Sequence, residues 1–245
     1  MRFHQQTAVV TGGASGIGLA VAERLRAEGA TVLTVDCNRD TLAQVEGPAL
    51  AVDLTDEDAP TRVVAEARSR FGGLDILINN AGVGGIVPLE ESDDALIDQT
   101  LATNLRAVLR LTRETLALLA RPGGRIVNIA SIFGEVGFPR TTVYAATKGA
   151  VAQLTRQLAA DLTGHGIRVN AVAPGVIETP GNRHFIHTDT WYRRHMQDTV
   201  PMGRIGRPSE IAAVVAFLCS EDASYVSGQI IAVDGGWLGT RVVTV

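Results

Sequence analysis

Short apolar runs alternate with amphipathic stretches from one end of the chain to the other. Seven runs have the length and composition of strands, at residues 7–11, 31–35, 49–53, 74–79, 125–130, 168–173 and 230–233. Several are apolar throughout rather than alternating, the pattern of parallel strands covered on both faces. Segments of helix length lie between them, at 16–28, 57–70, 94–119, 141–162 and 208–218. Gly29, Gly72 with Gly73, and Gly164 stand just past such segments, where a glycine can close a helix in a left-handed conformation. This alternation predicts an α/β fold: a doubly wound parallel sheet of Rossmann-like type with helices on both faces. Nothing reads as a linker, repeat or low-complexity tract, so residues 1–245 are expected to form a single domain. The rhythm breaks at 180–202, which carries Trp191, Tyr192, three histidines and three arginines. That segment is expected to be an insertion, a lid over the ligand end of the sheet.

Hydrophobic residues make up 46% of the 245, which fits a packed core and excludes a disordered chain. The formal net charge is −4, with acids and bases mixed along the chain. No basic block points to nucleic acid or to an anionic membrane. Apolar runs such as 211–219 are far too short to cross a bilayer. The polar start, Arg2-Phe3-His4-Gln5-Gln6, leads into a strand-like run and offers no signal peptide. Cys37 and Cys219 form no metal-spaced pair, and a cytoplasmic setting is the expectation. His184, His187 and His195 lack tight spacing and an acidic cluster, so no metal is expected. The 22 basic residues are 21 arginines and one lysine, Lys148.

The first strand run leads into Thr11-Gly12-Gly13-Ala14-Ser15-Gly16-Ile17-Gly18, and a helical segment follows. Glycines let a backbone turn tightly and approach a pyrophosphate, while a helix N-terminus supplies free N–H groups and partial positive charge. Gly12, Ser15, Gly16, Ile17 and Gly18 are therefore candidates to cradle a dinucleotide. A tight turn without a ligand is the competing reading. Asp36 ends the second strand run, where a carboxylate can accept hydrogen bonds from the adenosine ribose hydroxyls and repel a 2′-phosphate. That favours NAD over NADP, although Arg39 lies close by and could reach a phosphate. Alone, Asp36 reads equally well as a loop or cap acid. Asp53 with Leu54 after the third run could bracket the adenine, and Asn79-Asn80-Ala81-Gly82 after the fourth could lie by the nicotinamide ribose.

The fifth run ends at Ser131, and Tyr144 and Lys148 follow in Tyr144-Ala145-Ala146-Thr147-Lys148. On a helix, residues four apart share a face, which sets a phenol beside an ammonium. A charge about 5 Å away favours phenolate by roughly 3 kcal/mol, about two pKa units. The result is a group suited to general acid/base work at a carbinol oxygen. Ser131 can hold that oxygen, and Asn104 can fix a water or local backbone. Each residue alone has a plainer reading, as a surface pair, a turn cap or a helix-bending polar group. The single lysine, placed four after one of only three tyrosines, weighs toward the chemical one.

Taken together, Thr11-Gly12-x3-Gly16-x-Gly18, Asn79-Asn80-Ala81-Gly82, Asn104, Ser131, Tyr144-x3-Lys148, Pro174-Gly175 and Val233-Asp234-Gly235-Gly236 resemble the short-chain dehydrogenases/reductases over essentially the full length. The resemblance implies a tetrad of Asn104, Ser131, Tyr144 and Lys148, with Lys148 also on the nicotinamide ribose. It implies Asn80, Ala81 and Gly82 beside the cofactor, and Pro174, Gly175, Ile177 and Thr179 along the nicotinamide. It further implies a homo-oligomer, tetramer or dimer, packed through the Asn104 and Tyr144 helices and the C-terminal segment, with which the apolar tail 238–245 is compatible.

The expected activity is hydride transfer between NAD(H) and a secondary alcohol or ketone. The rivals are an NADPH-dependent 3-oxoacyl-thioester reductase and a non-catalytic dinucleotide sensor. Near the substrate, the resemblance places Gly84, Gly85, Ile132, Phe133, Phe138, Arg140 and the segment 179–192. Phe133, Phe138 and Trp191 suggest an apolar wall, whereas Arg140, Arg183 and His184 could meet a carboxylate or several hydroxyls.

Overall fold

The computed structural model describes residues 1–240. Seven strands, β1 Thr7–Thr11, β2 Thr31–Asp36, β3 Ala49–Ala51, β4 Ile76–Asn79, β5 Arg125–Ile129, β6 Arg168–Pro174 and β7 Ile230–Val233, form one parallel sheet in the order β3-β2-β1-β4-β5-β6-β7. The helices are α1 Gly16–Ala27, α2 Arg39–Leu42, α3 Ala59–Phe71, α4 Asp94–Leu101, α5 Ala107–Thr115, α6 Thr142–Leu162, α7 Arg183–Thr188, α8 Thr190–Tyr192 and α9 Pro208–Cys219.

Successive strand residues point to opposite faces, and the core divides accordingly. Ala8 and Val10 of β1 pack with Val21 and Leu25 of α1 and with Ile211 and Val215 of α9. Val9, between them, packs with Val63 and Ala67 of α3, Leu111 of α5 and Leu162 of α6. From β1 the chain runs outward to β2 and β3, then returns to place β4 on the other side of β1. Connections diverge there to opposite layers, which opens a crevice beyond the carboxyl ends of the strands.

Three expectations are corrected. The 94–119 segment is not one helix: a π-helical turn, Ala102–Arg106, separates α4 from α5, and the last residues pair with Leu74 through Leu74 N–H to the Leu118 carbonyl (3.0 Å) and Ala120 N–H to the Leu74 carbonyl (2.8 Å). Gly164 does not supply the left-handed residue after α6. Gly166 does, with φ +76°, where a Cβ would lie 2.7 Å from Pro122. β3 stops at Ala51, before Asp53, because the Asp53 carboxylate turns the chain by accepting from the Thr55 amide at 2.9 Å.

The 180–202 insertion is largely helical, comprising α7, α8 and a π-helical turn Arg193–Gln197. It has its own small core of Ile186, Tyr192, Met196 and Val200, packed against Val176. Among the described residues no helix is long and apolar enough to cross a membrane. The end of the apolar tail, 241–245, lies outside the described residues.

Candidate active site

β1 delivers the chain into a turn at Gly12, which has φ +59° and where a Cβ would lie 2.9 Å from the Ala81 Cα. The turn is braced from the end of β4. Asn80 Nδ2 donates to the carbonyls of Thr11 (2.9 Å) and Gly12 (3.0 Å), and the Thr11 hydroxyl accepts from the Asn80 and Ala81 amides, both at 3.0 Å. Ser15 precedes α1 but its side chain caps no backbone amide. The first-turn N–H groups have no acceptor within the helix. Ser15, Gly16 and Ile17 line a cleft of about 830 Å³, so those donors and the positive end of the helix border it. Gly18, expected on the ligand, is set back instead. It is buried, and a Cβ there would collide with the Gly12 carbonyl oxygen, so its small size lets α1 pack beneath the turn.

Asp36, at the end of β2, lines the same cleft. Its Oδ2 accepts from the Ala14 amide and its Oδ1 from the Asn38 amide, both at 3.0 Å, with lone pairs left on each oxygen. Asp53 and Leu54 border this end as expected, but Asp53 Oδ1 is taken up by the Thr55 amide and hydroxyl (2.9 and 2.8 Å). The Asp53 carboxylate is therefore tied into its own turn. Cys37, which sequence reasoning passed over, also lines the wall.

Ser131, just past β5, is extended, and its Oγ accepts from the Phe133 amide at 3.2 Å. The short turn Ile132–Gly134 lies against α6 so closely that a Cβ on Gly134 would come within 2.6 Å of the Lys148 carbonyl carbon. This contact sets Ser131 opposite Tyr144 and Lys148, and all three line the cleft with Ala81 and Gly82. Lys148 is buried, and its Nζ donates to the Ile129 carbonyl at 2.8 Å. Burial brings its pKa down to about 8. The expected depression of the Tyr144 phenol is not what the side chains produce. Burial pushes its pKa up, hydrogen bonding with Ser131 pulls it down, and Tyr192 raises it further. Lys148 Nζ lies over the Tyr144 ring, 5.8 Å from the centroid, and burial makes the ammonium easier to deprotonate.

Asn104 lies behind the cleft wall, 1% exposed, in the π-helical turn. Its Oδ1 accepts from the Val83 amide (2.8 Å), while Nδ2 donates to the Val83 carbonyl (2.8 Å) and the Thr147 hydroxyl (3.1 Å). Thr147 in turn donates to the Tyr144 carbonyl at 2.8 Å. Thr147 was missed in the sequence; the available signal was a polar residue on the same face of α6 as Tyr144, three positions on.

Pro174, Gly175, Ile177 and Thr179 border the cleft beyond β6. Asn182 holds this entry to the lid, with Oδ1 accepting from the Thr179 amide (2.8 Å) and Nδ2 donating to the Ile177 carbonyl (2.7 Å). The three aromatic residues cluster, Phe133 stacking on Phe138 at 4.7 Å and Trp191 meeting Phe138 at 6.1 Å, but only Phe133 and Trp191 line the cleft, with Phe138 behind them. Trp237 packs on this cluster, 6.0 Å from Phe133 and 5.9 Å from Phe138, although no local pattern marked it. Arg140 lines the cleft, but Arg183 and His184 do not: Arg183 pairs with Glu178 at 3.0 Å, and His184 lies beside the Thr188 hydroxyl. Among the described residues no three His, Cys, Asp or Glu come together as metal ligands.

Comparisons with known proteins bear on the fold and the family. A family model described as enoyl-(acyl carrier protein) reductase matches residues 12–238. A 3-oxoacyl-(acyl-carrier-protein) reductase of Thermotoga maritima is 38% identical, over 96% of this chain and 99% of that protein. A galactitol 2-dehydrogenase (L-tagatose-forming) of Cereibacter sphaeroides is 42% identical, over 96% of this chain and 97% of that one. A crystal structure from Brucella melitensis, described as a short-chain dehydrogenase/reductase and glucose/ribitol dehydrogenase, superposes with a TM-score of 0.90 at 36% identity, over 96% of this chain and 98% of that one. With fold, cleft and full-length likeness in agreement, the chain belongs to the short-chain dehydrogenase/reductase family of nicotinamide-dinucleotide oxidoreductases.

Proposed function

We propose that the protein is an NAD(H)-dependent dehydrogenase or carbonyl reductase acting on a secondary alcohol or its ketone, with Tyr144 as general acid/base. One observation carries the reading. Ser131, Tyr144 and Lys148 meet at one end of a cleft whose other end is Asp36, and β2 and β5 stand three strand spacings apart, roughly 14 Å. The span suits an extended dinucleotide. The uncapped start of α1 and the carboxylate at the end of β2 suit its pyrophosphate and adenosine ribose in turn.

In this reading Gly12, Ser15, Gly16 and Ile17 hold the pyrophosphate, and Asp36 accepts from the ribose hydroxyls. Asn80, Ala81, Gly82 and Lys148 border the second ribose, with Pro174, Gly175, Ile177 and Thr179 beside the nicotinamide. A bound nicotinamide dinucleotide supplies the hydride acceptor or donor. Ser131 donates a hydrogen bond to the substrate oxygen. Tyr144 gives that oxygen a proton in reduction and takes it in oxidation. Its upward-shifted pKa keeps the phenol protonated near neutrality, ready to act as the acid. Asn104 positions the Val83 backbone and, through Thr147, the start of α6.

The Thermotoga maritima relative favours a second reading, reduction of a 3-oxoacyl thioester. Asp36 weighs against the NADPH form of it, since its carboxylate would face a 2′-phosphate with like charge. A dinucleotide sensor would have no use for Ser131, Tyr144 and Lys148 in one place.

The test is NADH formation from NAD⁺ by purified protein against secondary alcohols, polyols, sugars and hydroxy acids, in parallel with Tyr144→Phe. Turnover by the wild type should fall about a hundredfold to ten-thousandfold in the variant while dinucleotide affinity holds. Near-normal turnover in Tyr144→Phe would remove the acid/base assignment.

A further inference from the structure

Arg140 stands just before α6, four residues ahead of Tyr144, and lines the same cleft. Its backbone has φ +62°, in the left-handed region that long side chains rarely occupy. Such strain persists only where the surrounding structure fixes it, and it concentrates at ligand sites. The surrounding structure here is aromatic. The guanidinium lies over the Trp191 ring, 5.1 Å from the centroid. Trp191 is held in turn by His195, stacked at 4.6 Å and 22°, and by Phe138 at 6.1 Å. Contact through a ring face fixes a guanidinium without using its N–H donors.

Among the described residues Arg140 forms neither an ion pair nor a side-chain hydrogen bond. Asp189, the acidic residue on this part of the wall, gives its Oδ1 to the Trp191 and Tyr192 amides at 2.8 and 3.1 Å. Arg183, the other arginine expected here, is neutralised by Glu178 outside the cleft. A permanent positive charge with a planar fork of donors thus lines a cleft that Phe133 and Trp191, backed by Phe138, also line.

We infer that Arg140 is a specificity-determining residue: it binds a carboxylate carried by the alcohol or ketone whose oxygen meets Tyr144. The substrate class is then an apolar-bodied hydroxy acid or oxo acid. The inference rests on the proposed function for what reacts in the cleft that Arg140 lines, but the carboxylate site can be measured without turnover.

Benzoate and benzamide serve as probes. They are nearly isosteric, their ring suits the aromatic wall, and neither has a carbinol to oxidise. Dissociation constants are measured by calorimetry on protein saturated with whichever of NADH or NADPH binds more tightly. Benzoate should bind about tenfold or more tighter than benzamide. Arg140→Met should abolish the preference, and Arg140→Lys, which keeps the charge but loses the fork, should restore only part of it. Thermal unfolding of each variant checks that the fold is kept. Equal binding of the two probes, binding of neither, or a preference that survives Arg140→Met overturns the assignment. The two readings fail separately: full turnover in Tyr144→Phe removes the acid/base assignment and leaves a benzoate preference standing, and loss of the benzoate preference leaves the assignment of Tyr144 untouched.

Discussion

Lys148 is a poor choice for stability. It is 5% exposed, donates one hydrogen bond, to Ile129, and among the described residues has no carboxylate partner. The folded protein therefore carries a charge it would shed more readily than the unfolded chain, with the pKa lowered from 10.5 to about 8. Below pH 8 both states hold the proton and the full penalty applies, about 3 kcal/mol for a shift of this size. Between about 8 and 10.5 only the unfolded chain holds it, so the penalty is relieved as pH rises through that window. Cys219, raised to about 12, and Tyr144, also raised, act in the opposite direction above pH 9 to 10. Comparison with Lys148→Met, which retains both, cancels them. Chemical denaturation at pH 7.5 and pH 10 should therefore show wild type gaining about 2 kcal/mol or more relative to Lys148→Met. A pH-independent difference would mean that the ammonium is not desolvated. No other lysine titrates alongside it. The same scarcity made the Tyr144–Lys148 pair legible in sequence. The direction of the Tyr144 shift was not legible, because burial, its largest cause, is set by the folded surroundings rather than by neighbours in the chain, and Tyr192 on the lid adds a smaller charge effect in the same direction.

Elements whose geometry is dictated locally were read nearly to their ends. The glycine turn before α1 and the cap at Gly72, with φ +73°, follow from residues adjacent in sequence. The π-helical turn Ala102–Arg106 was not legible, since an apolar stripe runs on with or without one extra residue. What distinguishes it is Asn104 gripping Val83, 21 positions away. The Ile132–Gly134 turn depends likewise on a non-local contact, its seat on α6. Gly134→Ala should drive that turn away from Lys148 and Gly149, since the colliding atoms are rigid backbone at 2.6 to 2.8 Å. The expected cost is about 1–3 kcal/mol in unfolding free energy. Turnover should drop by at least about tenfold as Ser131 moves relative to Tyr144, while dinucleotide affinity changes little because the α1 turn is remote. Gly137→Ala, where a Cβ meets nothing within 4 Å, is the control and should match wild type. If Gly134→Ala also matches wild type in melting and turnover, the turn does not fix the position of Ser131.

At the scale of the whole molecule, alternating strands and helices announced a parallel sheet, and the sheet order puts every candidate ligand segment at one edge. A lid over that edge was expected from the sequence, but its anchorage was not legible. It depends on Trp237, beyond β7, reaching Phe133 and Phe138 and donating through Nε1 to Thr199 at 3.0 Å. A ligand spanning β2 to β6 touches most of the sheet, so its binding should register in global unfolding. At a hundred times the dissociation constant a ligand adds about 2.7 kcal/mol, or roughly 5–10 °C in a domain of this size. Melting therefore reports cofactor choice without knowledge of the substrate. NADH should raise the midpoint by that amount, and NADPH at the same concentration by several degrees less. In Asp36→Ala the ranking should narrow or reverse, because the carboxylate is gone and the Ala14 and Asn38 amides it holds at 3.0 Å become free to meet a 2′-phosphate. If NADH and NADPH shift the wild type equally, Asp36 is not the selector, and the preference for NAD falls while the chemistry assigned to Ser131, Tyr144 and Lys148 is untouched, since those residues lie three strands away.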